Sequence, residues 1–365
     1  MSGTRAWVGV IAFSLRWRRS LATAASHGKG TLVVSGEMTR RERVMAALRG
    51  APVDRVPVCL WLHNFAMENS AADLAAETVR LARRFEWDFL KPQSRAQCFA
   101  EMWGLGYAPS RERATPYTVT RAPVTGAEEL RRLEPADARR GALGEQLEAL
   151  RTIRQAVGPD TPIIWTVFSP LMVLPFLLAG GRAQALELMR SDPLAVDHAL
   201  AAMTVTLEAY ALAAVESGAD GLFYATNMAT HELATAAECR RFQRPADLHI
   251  LGRVRQAPFN LLHVCGEGAR FDEFVDYPVT ALSWATVPGN PLLAEGHRRT
   301  GLAVVGGLPA KPVIGGLPPA EVVARGRRAI AEMQGRFLLL GPDCSINPDT
   351  PDAVMDAARA ATQAT

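Results

Sequence analysis

The chain has 365 residues, of which 48% are hydrophobic and 21% charged, and its formal net charge is only +3. That length allows two medium domains or one large α/β barrel, with a core that needs no staples. The small, dispersed charge leaves no footprint for nucleic acid, and five cysteines are too few and too unevenly numbered for a disulfide framework.

The first 37 residues read differently from the rest. The run "AWVGVIAFSLRWRRS" is apolar only briefly and is closed by Arg16, Arg18 and Arg19. It is too short to span a bilayer, and its charge follows the apolar run where a secretory signal would put it first. We expect residues 1–37 to be a disordered or misassigned extension, with Met38 as the natural start. The organised chain, 38–365, is then expected to be one domain, soluble in the reducing cytoplasm.

Organised sequence begins at "MTRRERVMAALRG", where Thr39 and Glu42 have the spacing of a capping box ahead of a short helix that Gly50 ends. Eight strand-like runs follow, at 55–63, 88–93, 162–168, 220–226, 259–264, 279–285, 302–308 and 336–342. Helical patterns separate them, among them Ala72–Arg84, Arg182–Ser217 and Glu321–Met333. Further capping boxes stand at Thr125/Glu128 and Thr235/Glu238, and Thr350–Pro351 has the form of a helix start. Nearly continuous apolar strands alternating with helices mean a parallel sheet covered on both faces. Eight such units predict a closed (β/α)8 TIM barrel, and no Gly-x-Gly-x-x-Gly follows the first strand to support a dinucleotide fold. The stretch from about 103 to 134 is read as an insertion with a small hairpin around "TPYTVTRAP".

Barrels of this kind do their chemistry at the C-terminal ends of the strands. The strand-end candidates are His63, Asn64, Gln93, Ser169, Thr226, Asn227, His263, Cys265, Trp284, Asp343 and Cys344. His263 and Cys265, in "FNLLHVCGEG", are two apart, so on a strand they face the same way. Cys344 follows the last strand in "LLLGPDCSINPDTP", where a glycine and prolines suit a rigid loop. Strands five and eight are not neighbours in a barrel, so this loop has to fold over the mouth to complete a His-Cys-Cys set. Three such donors with a free fourth place are the pattern of a catalytic zinc site. The alternative is a core histidine beside inert buried thiols, which is the reading kept for Cys59, Cys98 and Cys239.

The flow "RERVMAALRGAPVDRVPV", the strand end "HVCG" and the terminal "GPDCSINPDTP" resemble the uroporphyrinogen decarboxylase superfamily, from Met38 to the C-terminus. The resemblance implies a (β/α)8 barrel and one of two chemistries. One is cofactor-free decarboxylation of a tetrapyrrole. The other is corrinoid-dependent methyl transfer, in enzymes such as the methylcobamide:coenzyme M methyltransferases, which hold zinc with a His-x-Cys…Cys set. The decarboxylases' arginine-rich signature falls at "CLWLHNFAMEN", which has no arginine. Their aspartate falls in "KPQSRAQ", which has no acid, their tyrosine at Phe176 and their late histidine at Pro342. Only a serine hydroxyl finds an equivalent, in Thr226.

The methyltransferase pattern is met at His263, Cys265 and Cys344. The resemblance therefore implies Zn2+ at those residues, a corrinoid methyl carrier on a separate carrier protein, and a small-molecule thiol acceptor. His63, Asn227, His231 and Trp284 are expected to line the pocket. The alternatives are a uroporphyrinogen decarboxylase and a non-catalytic barrel that binds a small molecule. Cobalamin-independent methionine synthase is a weaker analogy, because its ligand pattern includes a glutamate that nothing after Cys265 has the spacing to match.

Overall fold

The computed structural model describes residues 36–363, so the expectation for 1–37 falls almost wholly outside the described residues. Thr39 and Glu42 form the expected reciprocal cap on the helix Arg40–Leu48. An antiparallel ribbon of β1 (Gly106–Ala108) and β2 (Thr118–Arg121) occupies the segment beyond the second strand-like run. Six parallel strands come next: β3 (Ile164–Phe168), β4 (Gly221–Thr226), β5 (Leu261–Val264), β6 (Ala281–Trp284), β7 (Ala303–Leu308) and β8 (Leu338–Pro342), paired in sequence order.

The ring closes through the runs at 55–63 and 88–93, but not as ladders. Val58 bridges Leu340, Leu62 bridges Ile346, and Leu90 bridges Ile163, all in parallel. A few backbone bonds join the two runs to their neighbours: Cys59 N–H to Leu340 O at 3.1 Å and Leu340 N–H to Pro57 O at 2.8 Å, Asp88 N–H to Val58 O at 3.0 Å, and Leu90 N–H to Pro162 O at 2.8 Å with Ile164 N–H to Leu90 O at 2.9 Å. The physical reason lies in Pro57 and Pro92, which have no N–H to give, so these runs complete a (β/α)8 barrel without forming regular strands.

Alternation along the strands fills the barrel with aromatic rings. Trp61 meets Phe223 edge-on at 5.6 Å, and Phe89 meets Phe259 at 5.4 Å. The end opposite the mouth is sealed by Asp88, which is fully buried. It accepts from Arg43 at 2.8 Å, from Arg55 at 2.6 Å and from the Val58 amide at 2.9 Å. A buried carboxylate needs such partners, because an unpaired one costs several kcal/mol.

The long helical pattern Arg182–Ser217 is two helices, Gly181–Ser191 and Pro193–Glu216, because Pro193 cannot continue the first. The second is long and apolar enough by composition to cross a membrane, but it packs as a wall of the barrel, burying Val196, Met203, Leu207 and Tyr210. Two helix starts fall one residue later than the sequence spacing predicts. Gly126 with Glu129 caps Ala127–Leu130, and Pro351 precedes Asp352–Ala360.

Candidate metal centre

His263 is delivered by β5, where its partner across the ladder is Ser283 of β6. The imidazole is 3% exposed. Its Nδ1 lies 3.2 Å from the Ser283 hydroxyl, and one face of the ring stacks on Phe223 with centroids 5.1 Å apart. Nε2 is buried with no hydrogen-bond partner. A buried polar atom left without a partner is rare in a folded core, and here it faces two sulfurs.

Cys265 leaves β5 with its backbone N–H on Thr226 O at 2.8 Å. The chain must then turn at once, and Gly266 does so at φ +118°, where a side chain would be strained and would also press on Thr230.

Cys344 arrives from the far side of the ring. After β8, the Asp343 N–H bonds Leu308 O at 2.8 Å, and its carboxylate accepts from the Thr286 N–H and hydroxyl at 3.1 Å each. Ile346 then pairs with the first run. These ties fold the loop inward, and the Sγ atoms of Cys265 and Cys344 stand 3.8 Å apart. The donor atoms of His263, Cys265 and Cys344 all lie within 4.8 Å of one another.

Electrostatics at the pair follow from that proximity. A hydrogen bond from Cys265 holds the Cys344 thiol well below the ordinary thiol range, against the opposing effect of burial and with further help from His263. The same bond, with burial, pushes Cys265 well above the ordinary thiol range. Two sulfurs this close favour loss of one of their protons, and the thiolate is the form that binds a cation. Two soft sulfurs and one imidazole nitrogen suit zinc, so the residues present fit the ion that the sequence pattern implies.

The other candidates fall in different places. His63 is half-buried at the end of the first run, its Nδ1 2.8 Å from Glu68 and its ring stacked on Phe65. Asn227 follows β4, with Oδ1 buried and unpartnered. His231 is exposed on a rim groove of about 360 Å3 that it shares with Arg270, Asn290 and Arg299.

Trp284 is not a pocket residue. Ser283 beside it points inward to His263, so Trp284 points outward. There it is 1% exposed, donates from Nε1 to Pro291 O at 2.8 Å, meets Phe271 edge-on, and crowds Gly296 of the helix Leu293–Thr300. Sequence reasoning missed Lys91, Glu68 and Ser283. The one available signal was a lysine inside the apolar run "DFLKPQ".

With the geometry in place, comparison with known proteins is direct. The uroporphyrinogen decarboxylase (URO-D) family profile matches residues 39–364, and the chain belongs to that family. Within it the chain stands with the methyltransferases. It is 29% identical to methylcobamide:CoM methyltransferase MtaA of Methanosarcina barkeri over 339 residues, 86% of this chain and 95% of that protein. It is 24% identical to MtbA of Methanosarcina acetivorans over 337 residues, 87% of this chain and 95% of that one. Among solved structures, a methyltransferase from Methanosarcina mazei shares the fold with a TM-score of 0.76 at 23% identity, covering 89% of this chain and 98% of its own.

Proposed function

We propose that the chain moves a methyl group between a corrinoid and a thiol acceptor, with His263, Cys265 and Cys344 holding the zinc ion this requires. The observation that carries the reading is the convergence of two sulfurs and a partnerless imidazole nitrogen within 4.8 Å at the barrel mouth. Three protein donors are the complement of a catalytic site, which leaves a place for a reactant. Bound there, zinc would keep an acceptor thiol as its nucleophilic thiolate at neutral pH. Relatives named for methylcobamide and CoM support a corrinoid as the methyl source, and our reading has a separate carrier protein present it.

The chain's own residues prepare the site. Ser283 engages Nδ1 of His263 and leaves Nε2 free, and Phe223 keeps the ring from tilting. Thr226 O fixes the Cys265 backbone, while Thr286 and Asp343 clamp the loop that brings Cys344 across. Asn227 and His63 stand at strand ends facing the same mouth. We assign this activity to the domain 38–365. All five cysteines are free, which supports a reducing cytoplasmic setting.

The test is elemental analysis of protein purified without added metal, followed by methyl transfer from methylcobalamin to a small thiol. We expect about one zinc per chain and thiol methylation that a chelator stops and zinc restores. A metal-free preparation that decarboxylates uroporphyrinogen, or a zinc-loaded one that methylates no thiol, refutes the proposal.

A further inference from the structure

A second polar set stands in the barrel, apart from the three metal donors. Lys91, Gln93, His63 and Glu68 form one hydrogen-bonded chain. Its direction can be read from the chemistry of its ends. The Lys91 ammonium is 7% exposed and can only donate, and its acceptor is Gln93 Oε1. That contact fixes the amide, so Gln93 presents Nε2 to Nε2 of His63, 2.6 Å away. An amide nitrogen only donates, so His63 Nε2 is the acceptor and carries no proton. The ring proton is therefore on Nδ1, donated to the Glu68 carboxylate at 2.8 Å. Glu68 is 2% exposed and is held by the Asn64 N–H at 3.0 Å and the Tyr117 hydroxyl at 3.3 Å.

This set and the metal donors meet across one aromatic ring. Lys91 Nζ lies 4.5 Å from the Phe223 ring centroid, and the same ring stacks on His263 at 5.1 Å. On the other side Leu62, next to His63, bridges Ile346, two residues beyond Cys344. A histidine that served packing alone would need neither a buried carboxylate behind it nor an oriented amide in front. Both are present, in the order that gives an imidazole an unprotonated basic nitrogen and a stabilised cationic form.

We propose that His63 is the proton acceptor for the incoming thiol, with Glu68 holding its ring and the Lys91–Gln93 pair setting its tautomer. The proposal rests on the methyl-transfer reading above. The thiol S–H bond breaks, the sulfur keeps the electron pair, and an N–H bond forms at His63 Nε2 as the Gln93 amide gives way. The proton then passes to solvent at the mouth, where the His63 side chain is 15% exposed.

The experiment follows thiolate capture rather than turnover. The protein is loaded with cobalt(II) and mixed with 2-mercaptoethanol in a stopped-flow instrument, and growth of the sulfur-to-cobalt charge-transfer band is recorded. Loss of a general base costs about 100-fold or more, so His63→Gln slows the band about 100-fold at unchanged cobalt content. A hindered base such as 2-methylimidazole restores the rate. Lys91→Met leaves His63 in place but frees Gln93 to turn over, and it slows the band about tenfold, less than loss of the base itself. Should His63→Gln not fold, the Lys91→Met rate decides alone. Wild-type rates in the folded variants, or a loss in His63→Gln that the added base does not relieve, overturn the assignment. Absence of any band in the loaded wild type overturns the metal–thiol reading itself, and this inference with it.

Discussion

Replacing Cys344 with serine isolates one donor of the proposed metal site while keeping its volume. Zinc bound by a full set of four ligands gains about 10–16 kcal/mol, so one thiolate accounts for about 3 kcal/mol, or roughly 100-fold in affinity. Nothing nearby replaces it. Among the described residues no other imidazole, thiol or carboxylate joins the cluster, and the neighbouring Asp343 has one oxygen committed to Thr286. Serine itself stays an alcohol at neutral pH and does not supply the missing charge. The assay is equilibrium dialysis against chelator-buffered zinc, with metal and protein counted in the same sample. Thermal unfolding at the same free zinc gives an independent reading. At 100 times the wild-type Kd, binding stabilises the wild type by about 2.7 kcal/mol, and a 100-fold weaker site by only about 0.4 kcal/mol. A folded Cys344→Ser protein that keeps zinc within twofold of wild-type affinity refutes the assignment of the three donors.

Three further outcomes follow from the same geometry. Gly266→Ala forces a side chain into φ +118° and against Thr230, which costs about 1–3 kcal/mol, and it should weaken zinc binding in the same dialysis by displacing Cys265. Trp284→Ala opens a cavity behind β6, and denaturant unfolding should show a loss of about 3–5 kcal/mol, while the KM for the thiol in the folded enzyme stays unchanged. Asp54 is partly buried, which opposes ionisation, but its bonds from Arg43 win and hold its carboxyl down at about 2. A depressed carboxyl contributes stability above its unfolded value near 3.8 and loses it as the pH falls through about 2. Asp54→Asn should therefore unfold more easily than wild type by about 2 kcal/mol at pH 6, with the difference fading between pH 4 and 2.

The fold was legible because six of the eight runs are apolar, rich in β-branched residues and bounded by turn signals. The other two carry the same composition, but composition does not count backbone donors, and Pro57 and Pro92 reduce them to isolated bridges. The convergence of His263, Cys265 and Cys344 was legible for a topological reason, since parallel strands all end at one mouth. What the sequence hid was facing. A strand buried on both sides shows no alternation, so nothing in "VTALSWA" says that Ser283 looks in and Trp284 looks out. Glu68 and Lys91 were hidden differently, because Glu68 reaches His63 from a bend and Lys91 acts on it through Gln93 of the neighbouring run, and such meetings are settled only by tertiary packing.

The barrel is a hoop of staves, and two of them are fastened by a few pegs each while the other six are joined by ladders. Short sets of bonds part at less cost than longer ladders, so widening of the opening is expected at that seam. His63 and Lys91 both stand on the loosely fastened staves, whereas His263 and Cys265 sit on or next to a stitched one. A broad molecule arriving at this opening would then be accommodated on the side of His63 and Lys91, while the strand that carries His263 keeps its shape.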